Sequence, residues 1–515
     1  MGYRRFWTLT AIVLGAVSLI APALLVGHPD VFPDTSAYEL IGQWFIEQLG
    51  VHPHGGFGYL RHRADLKMFF TIAGARSPLY GMLLFAVSDR GSAWAMIALQ
   101  ALSASALIAL TLRVVLGRWR LIEYAIVIGL LTLASTLPFF VSFVMPDVFL
   151  GLGALTAILM LFYFEQISQT QRWALGAGLA LTLSFHATNA PAVLSLTLVA
   201  AAAIWLGTLP GRPARQGLAV VLGCAGLSLV IGALYPWTVE RLSHRELSRP
   251  PFLSARLLAD GPGRDYLQAA CAKGTPFVLC AYQNRPMTDA NSILWSTDRR
   301  RGIFETANYP TRLAMTKEEP RFVAAAVRAE PLRTAWLLVR DSAFELTDVS
   351  VLDTLGYGDH GLIAKGPRFS PILPGMLFCV RRPSYCNSTP FQLVSEDVLR
   401  WSLIGAVLYI GVRLACAVAR VRVVLRLHPL PPRLAAAACG VFVLLLADAV
   451  ICGALSGVYP RYEMRIAWLA PLFAALAWLQ SSPFAAVGWS RRAATPAMTP
   501  AGAQPQVLAT DAPTA

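Results

Sequence analysis

Charge is what this sequence has least of. Only 14% of its 515 residues are Asp, Glu, Lys or Arg, against 56% apolar, whereas about a quarter of a typical soluble domain is charged. That deficit excludes an ordinary soluble protein and points to a polytopic membrane protein. Lysine is rarer still, with Lys67, Lys273, Lys317 and Lys365 the only four. The formal net charge of +14 therefore comes from arginine. The arginines sit mostly in short clusters flanking apolar runs, where they orient helices in a bilayer. No nucleic-acid partner is expected.

Several motifs are missing as well. No GxSxG elbow is present, which disfavours a serine hydrolase, and no GxxxxGK[ST] loop supports an ATPase. No internal repeat is evident, and the membrane region shows no paired halves of the kind many transporters carry. None of the eight cysteines forms a CxxC pair suited to zinc or redox chemistry. Cys224, Cys416, Cys439 and Cys452 lie in apolar runs. Cys271/Cys280 and Cys379/Cys386 are close pairs in one polar region, read either as disulfides of an oxidising compartment or as free thiols of a reduced domain.

What the chain does have is apolar runs near the length of about 20 residues that a span needs. They lie at 6–27, 92–116, 121–140, 147–165, 173–188, 190–208, 217–237, 399–420, 433–455 and 463–481, about ten spans. The amino terminus has the basic start and apolar middle of a signal peptide, but its run is longer than usual and reads as a retained first span. The stretch 77–88 is too short to cross and reads as an interfacial or re-entrant helix. Arg4/Arg5, 116–120, Arg172, 211–215, 419–433 and Arg491/Arg492 mark the cytoplasmic side. The other side receives 28–76, 145–148, 186–189, 238–398 and 459–465.

The domains expected are an N-terminal transmembrane part, 1–237, with a first external loop at 28–76, and an extracytoplasmic domain at 238–398. C-terminal spans at 399–481 and a disordered cytoplasmic tail at 482–515 follow. The external domain reads as mostly helical, with a capping box from Thr316 to Glu319 and a helix start at Pro331.

In "HPDVFPDTSAYELIGQWF", residues 28–45, Asp34 or Ser36 reads as the N-cap of an amphipathic helix 37–49, and Asp30 and Glu39 serve solvation or capping. In "MPDVFLGLGAL", Asp147 stands between two apolar stretches on the same side as Asp34, where a charge is costly without a partner or a task. Two such aspartates at one membrane boundary suggest a site. "YPRYEMR" puts Arg461 and Arg465 four apart on one helix face. They either grip a phosphate through parallel hydrogen bonds or anchor the helix as an Arg/Tyr belt. His186, near Asn189, assists a leaving group or caps a helix, and Arg76 contacts phosphate or headgroups. His52, His54 and His62 lack regular ligand spacing and read as an ordinary loop. Trp295, Tyr282 and Tyr309 stack on sugar faces or pack in their own domain.

An apolar first helix ending in "PDTSAY", a loop closing on "RSPLYGMLL", broken third and fourth spans carrying "MPDV", and an external domain together resemble the GT-C superfamily. These are integral-membrane glycosyltransferases of the protein O-mannosyltransferase and aminoarabinose transferase type. The resemblance is one of arrangement over roughly residues 1–210. Two departures are that the acidic pair is split as Asp30 and Asp34, and that the soluble domain lies between spans seven and eight.

It implies an all-α GT-C-like bundle in the bacterial inner membrane, with the site on the extracytoplasmic face. The implied activity is inverting transfer of a hexosyl or pentosyl group from a polyprenyl-phosphate-linked donor to a lipid, glycan or protein acceptor, among membrane lipids. On that resemblance Asp34 is the base or acceptor-orienting carboxylate. Asp147 orients the acceptor or joins Asp34 in holding a divalent cation, Mg or Mn. Arg461, Arg465, Arg76, Tyr38 and His186 bind substrate. The rival readings are a transporter or flippase of a lipid-linked or polar substrate, and a non-enzymatic membrane assembly factor for which Asp34 and Asp147 are dispensable.

Overall fold

The computed structural model describes residues 2–26, 29–30, 32–51, 73–88, 93–350, 390–419 and 430–481. His52, His54, His62, the Cys379/Cys386 pair and the tail 482–515 lie outside the described residues. Among those described, regular structure is helical, apart from one isolated parallel bridge between Asp30 and Phe143. The all-α class stands.

Four helices are long and apolar enough to cross a membrane: Ala93–Leu116, Gly211–Ser243, Glu396–Ala417 and Pro432–Ala454. Gly211–Ser243 is 33 residues long and turns Leu222, Leu227, Leu229, Val230 and Leu234 outward. So large a contiguous apolar face is unfavourable in water and suits acyl chains.

By the same measure the ten expected spans are not reached. The runs at 121–140 and 147–165 form Leu121–Ala134 and Val148–Phe162, of 14 and 15 residues. Those at 173–188 and 190–208 form Gln169–Ser184 and Asn189–Trp205, of 16 and 17. Proline accounts for several breaks, since it has no N–H to donate and fits only a first turn. The first helix stops at Leu19 and resumes at Ala21, one residue before Pro22. The last expected span divides at Trp468 into Pro460–Ala467 and Leu469–Ser481, with Pro471 in the first turn of the second piece.

The short helix expected at 77–88 is present as Pro78–Ser88 and lies against the first-loop helix Pro33–Gln48. Only glycine permits their approach. A Cβ on Gly42 would stand 2.0 Å from the Gly81 carbonyl oxygen, and one on Gly81 2.5 Å from that of Tyr38.

Pro33–Gln48 begins earlier than the sequence suggests, with extended Phe32 as N-cap and Pro33 in the first turn. Thr35 Oγ1 accepts from the Phe32 amide at 3.0 Å and donates to the Val144 carbonyl at 3.0 Å. Neither Asp34 nor Ser36 is the N-cap residue. Asp30 and Glu39, expected to serve solvation or capping, are buried. The Asp30 amide donates to Ser142 O and its carbonyl accepts from Val144 N, both at 2.9 Å, pinning the first loop to the break that precedes Asp147. Glu39 belongs to a stretch, 37–44, that is buried throughout.

The main core is built around Val148–Phe162, every residue of which is buried. A separate cluster, including Leu258, Leu267, Phe277, Ile293, Phe304 and Phe322, supports the helices between 252 and 329, and a disulfide joins Cys271 to Cys280. The expected capping box is not one. Its helix starts at Tyr309, where the Asn308 side chain accepts from Thr311 N at 3.0 Å. Glu319 instead accepts from Leu253 N at 2.9 Å and Ser254 N at 3.2 Å, capping the neighbouring helix Phe252–Asp260. Pro331 does open a helix, Pro331–Thr347.

Candidate functional site

Two aspartate–arginine pairs form where the first loop meets the Asp147 turn. Asp34, in the first turn of Pro33–Gln48, accepts from Arg76 Nη2 at 2.5 Å. Asp147, at the start of Val148–Phe162, faces Arg461 Nε at 3.4 Å, and both side chains are at most one-tenth exposed. A negative charge suits a helix start, although the Asp147 side chain makes no capping hydrogen bond there. Arg461 stacks over the Phe32 ring at 4.4 Å, and Arg76 lies 5.4 Å from the ring centre of Trp295. Between the pairs, Tyr38 is buried within electrostatic reach of Arg76, Asp34, Asp147 and Arg461. Burial pushes its phenol above the ordinary range, so it is a neutral hydroxyl, able to donate or accept.

Arg465 is one turn beyond Arg461. Its Nη2 and Nε donate to the two oxygens of Asp448 at 2.7 and 3.3 Å. Nη2 also donates to Thr188 Oγ1 at 3.1 Å and lies 3.3 Å from Cys452 Sγ. Thr188 Oγ1 is in turn 2.8 Å from His186 Nδ1. Arg465, Arg461 and Arg76 all act electrostatically on His186.

The seven residues expected at a site, Asp34, Tyr38, Arg76, Asp147, His186, Arg461 and Arg465, thus share one neighbourhood, although they come from separate stretches of chain. Their pairing differs from expectation. Asp34 and Asp147 do not act as a bare carboxylate couple, because each is bound to its own guanidinium. Arg76 Nε and Arg461 Nη1 are buried and have no hydrogen-bond partner among the described residues. Leaving such a donor unmet is costly.

A divalent cation fits this donor set poorly. Both aspartates already face arginine, and cations gather around them. No step is therefore routed through a metal. Trp295 reaches the site through Arg76 and packs edge-tilted on Phe252 at 6.1 Å. Tyr309 and Tyr282 stay within their own region, Tyr309 donating to Glu246 O at 2.5 Å and Tyr282 beneath Arg285 at 4.6 Å.

Sequence reasoning missed Asp448, Thr188, Cys452 and Glu345. Asp448 had a signal, a carboxylate inside the apolar run "LLLADAVICGA". It precedes a π-helical turn, Val450–Ala454, a distortion that often accompanies specialised packing or function. Glu345, from Pro331–Thr347, accepts from Tyr459 N at 2.8 Å just before the arginine helix. Burial, reinforced by the Asp448 carboxylate, pushes Glu345 up to about 8 against the opposing effect of that hydrogen bond.

Comparison with protein-family models, with curated proteins and with solved structures finds no match to this chain.

Proposed function

We propose that this chain is a membrane glycosyltransferase, moving a sugar from a polyprenyl-phosphate-linked donor to a lipid, glycan or protein acceptor. The observation that carries the reading is the pair of buried, unmatched guanidinium N–H groups, Arg76 Nε and Arg461 Nη1. Each belongs to an arginine already oriented by an aspartate, and phosphate is the ligand that guanidinium geometry favours.

In this mechanism the donor phosphate accepts from Arg461 Nη1 and Arg76 Nε, which stabilise the charge it gains as the bond to the anomeric carbon breaks. The acceptor oxygen or nitrogen attacks that carbon from the opposite face, inverting it. Asp34, bound to Arg76 through one oxygen, takes the acceptor proton on the other. The electron pair of the broken bond leaves with the polyprenyl phosphate. Asp147 holds Arg461, and Tyr38 donates to a sugar or phosphate oxygen. His186 and Arg465 act from behind through Thr188.

The rest of the reading follows the GT-C-like plan. About ten spans are completed by the shorter apolar helices, with an external domain over 238–398 and C-terminal spans over 399–481. The site lies on the extracytoplasmic face of a bacterial inner membrane.

The test is sugar transfer from a radiolabelled polyprenyl-phosphate donor in membranes holding equal amounts of wild type, Asp34→Asn or Asp147→Asn. Wild-type-dependent transfer that collapses in either variant supports the reading. Transfer unchanged by both removes these carboxylates from the mechanism, and no transfer with any sugar brings the transporter and assembly-factor readings forward.

A further inference from the structure

The helix Pro331–Thr347 is polar on the inside and apolar on the outside. Thr334, Asp341 and Glu345 are buried, at helical spacing along one side, with Leu337 the one buried apolar residue among them. On the opposite side, about 180° away at roughly 100° per residue, Leu332, Trp336 and Val339 are 85%, 65% and 64% exposed, and Leu346 continues the stripe. A helix bathed in water has the reverse polarity. Protein groups meet these buried carboxylates: Asp341 pairs with Arg256 and with Arg340 at 2.8 Å, and one oxygen of Glu345 accepts from Tyr459 N at 2.8 Å. The polar inner face is therefore built into the fold, and the apolar outer face is what the helix presents to its surroundings.

We propose that this helix lies along the boundary of the lipid bilayer, with its outer stripe among acyl chains, so that residues 331–347 seat the external region 238–398 on the membrane. The proposal is independent of the glycosyltransferase reading.

Three further observations name lipid as the occupant. The helix packs on Val450–Ala454, the end of the apolar span Pro432–Ala454. A Cβ on Gly453 would fall 2.8 Å from Asp341 O and from the Glu345 Cβ, so the two elements touch closely. Leu446 and Val450 of that span, and Leu455 just past its end, are themselves exposed, so apolar surface continues onto the neighbouring element. Finally, the one exposed aromatic ring in the middle of the stripe is tryptophan, favoured at membrane–water boundaries. The amino-terminal end carries Arg333, half-exposed and bound to Asp265 and Glu330 at 2.8 Å each, as befits its wet end.

The full chain carrying p-benzoylphenylalanine in place of Trp336, and separately of Val339, is reconstituted in vesicles of phosphatidylcholine and phosphatidylglycerol, irradiated, and analysed for adducts by mass spectrometry. Trp401, exposed on the span Glu396–Ala417, is the lipid-facing reference position, and Lys317, exposed and paired with Glu246, the water-facing one. Two positions are used so that a folding defect at one leaves the other readable. The proposal expects phospholipid adducts at both, in yields like those at Trp401 and about tenfold above Lys317, as for a helix with its apolar face in the acyl region. Lipid yields no higher than at Lys317 overturn it. So do cross-links to residues 351–389 or to another protein in place of lipid.

Discussion

Arg461 and Arg465 stand one turn apart on the same eight-residue helix, yet their surroundings differ. Arg465 meets both oxygens of Asp448, with Thr188 and Cys452 completing its shell. Arg461 has one looser contact to Asp147 at 3.4 Å, an aromatic ring below it, and an Nη1 with no partner among the described residues. Buried charges persist when paired, and breaking such a pair is costly. On the proposed reading the Arg465 end is scaffold and the Arg461 end receives the donor phosphate. Arg76 repeats the second pattern, with one aspartate contact and one buried unmatched N–H.

The sharpest way to break this contrast is at the scaffold. Asp448→Ala leaves Arg465 charged and buried, and should cost about 3–5 kcal/mol of stability, read as a fall in thermal midpoint in detergent. The double variant Asp448→Leu/Arg465→Met should recover most of that loss. A melt unchanged by Asp448→Ala would mean that the pair does not hold the helix.

At the other end, Arg461→Lys keeps the charge beside Asp147 but loses the fork. Sugar transfer should fall by about 10²-fold while the thermal midpoint stays near wild type. A large stability loss with proportionate loss of transfer would make Arg461 a second scaffold residue.

Glu345 gives the scaffold end a pH signature. Its folded value, about 8, lies above its ordinary 4.5, so the folded state holds the proton more tightly than the unfolded chain. The stabilisation it provides is complete below 4.5 and lost as pH rises through about 8. Thermal midpoints of wild type should decline across that window, and Glu345→Gln should flatten the decline. Parallel declines in the two proteins would assign the pH dependence elsewhere.

The smallest effect is expected at Trp295→Ala, which removes one half-buried cation–π contact to Arg76, worth about 1–2 kcal/mol. Donor affinity should weaken severalfold with little change in the melt, and an unchanged affinity would confine Trp295 to packing on Phe252.

The all-helical class was legible in the apolar runs and in turn residues such as Pro331. The sharing of one neighbourhood by seven candidate residues was legible in the short polar segments that interrupt the apolar runs, because charge is costly there without a partner. Partners were not legible. That Asp34 takes Arg76 and Asp147 takes Arg461 depends on how Pro33–Gln48 seats against Pro78–Ser88 through Gly42 and Gly81, a long-range approach no local pattern encodes. Asp448 was passed over because its neighbours read as one more uninterrupted span. Thr316 and Glu319 have capping-box spacing, but the stronger start at Asn308 lies eight residues upstream of Thr316, and Glu319 became free to cap a different helix. Spacing alone does not tell a helix start from a helix interior.

The most direct measurement is calorimetric titration of the purified wild type, Arg461→Lys and a control carrying Lys317→Ala with a polyprenyl phosphate and with the corresponding polyprenol. If Arg461 is held ready for a phosphate, wild type and control bind the phosphate with equal affinity, Arg461→Lys binds it about tenfold or more weakly, and the polyprenol binds poorly to all three. Equal phosphate affinity in wild type and Arg461→Lys, or polyprenol binding as tight as the phosphate, would show that the unmatched arginine is not a phosphate ligand.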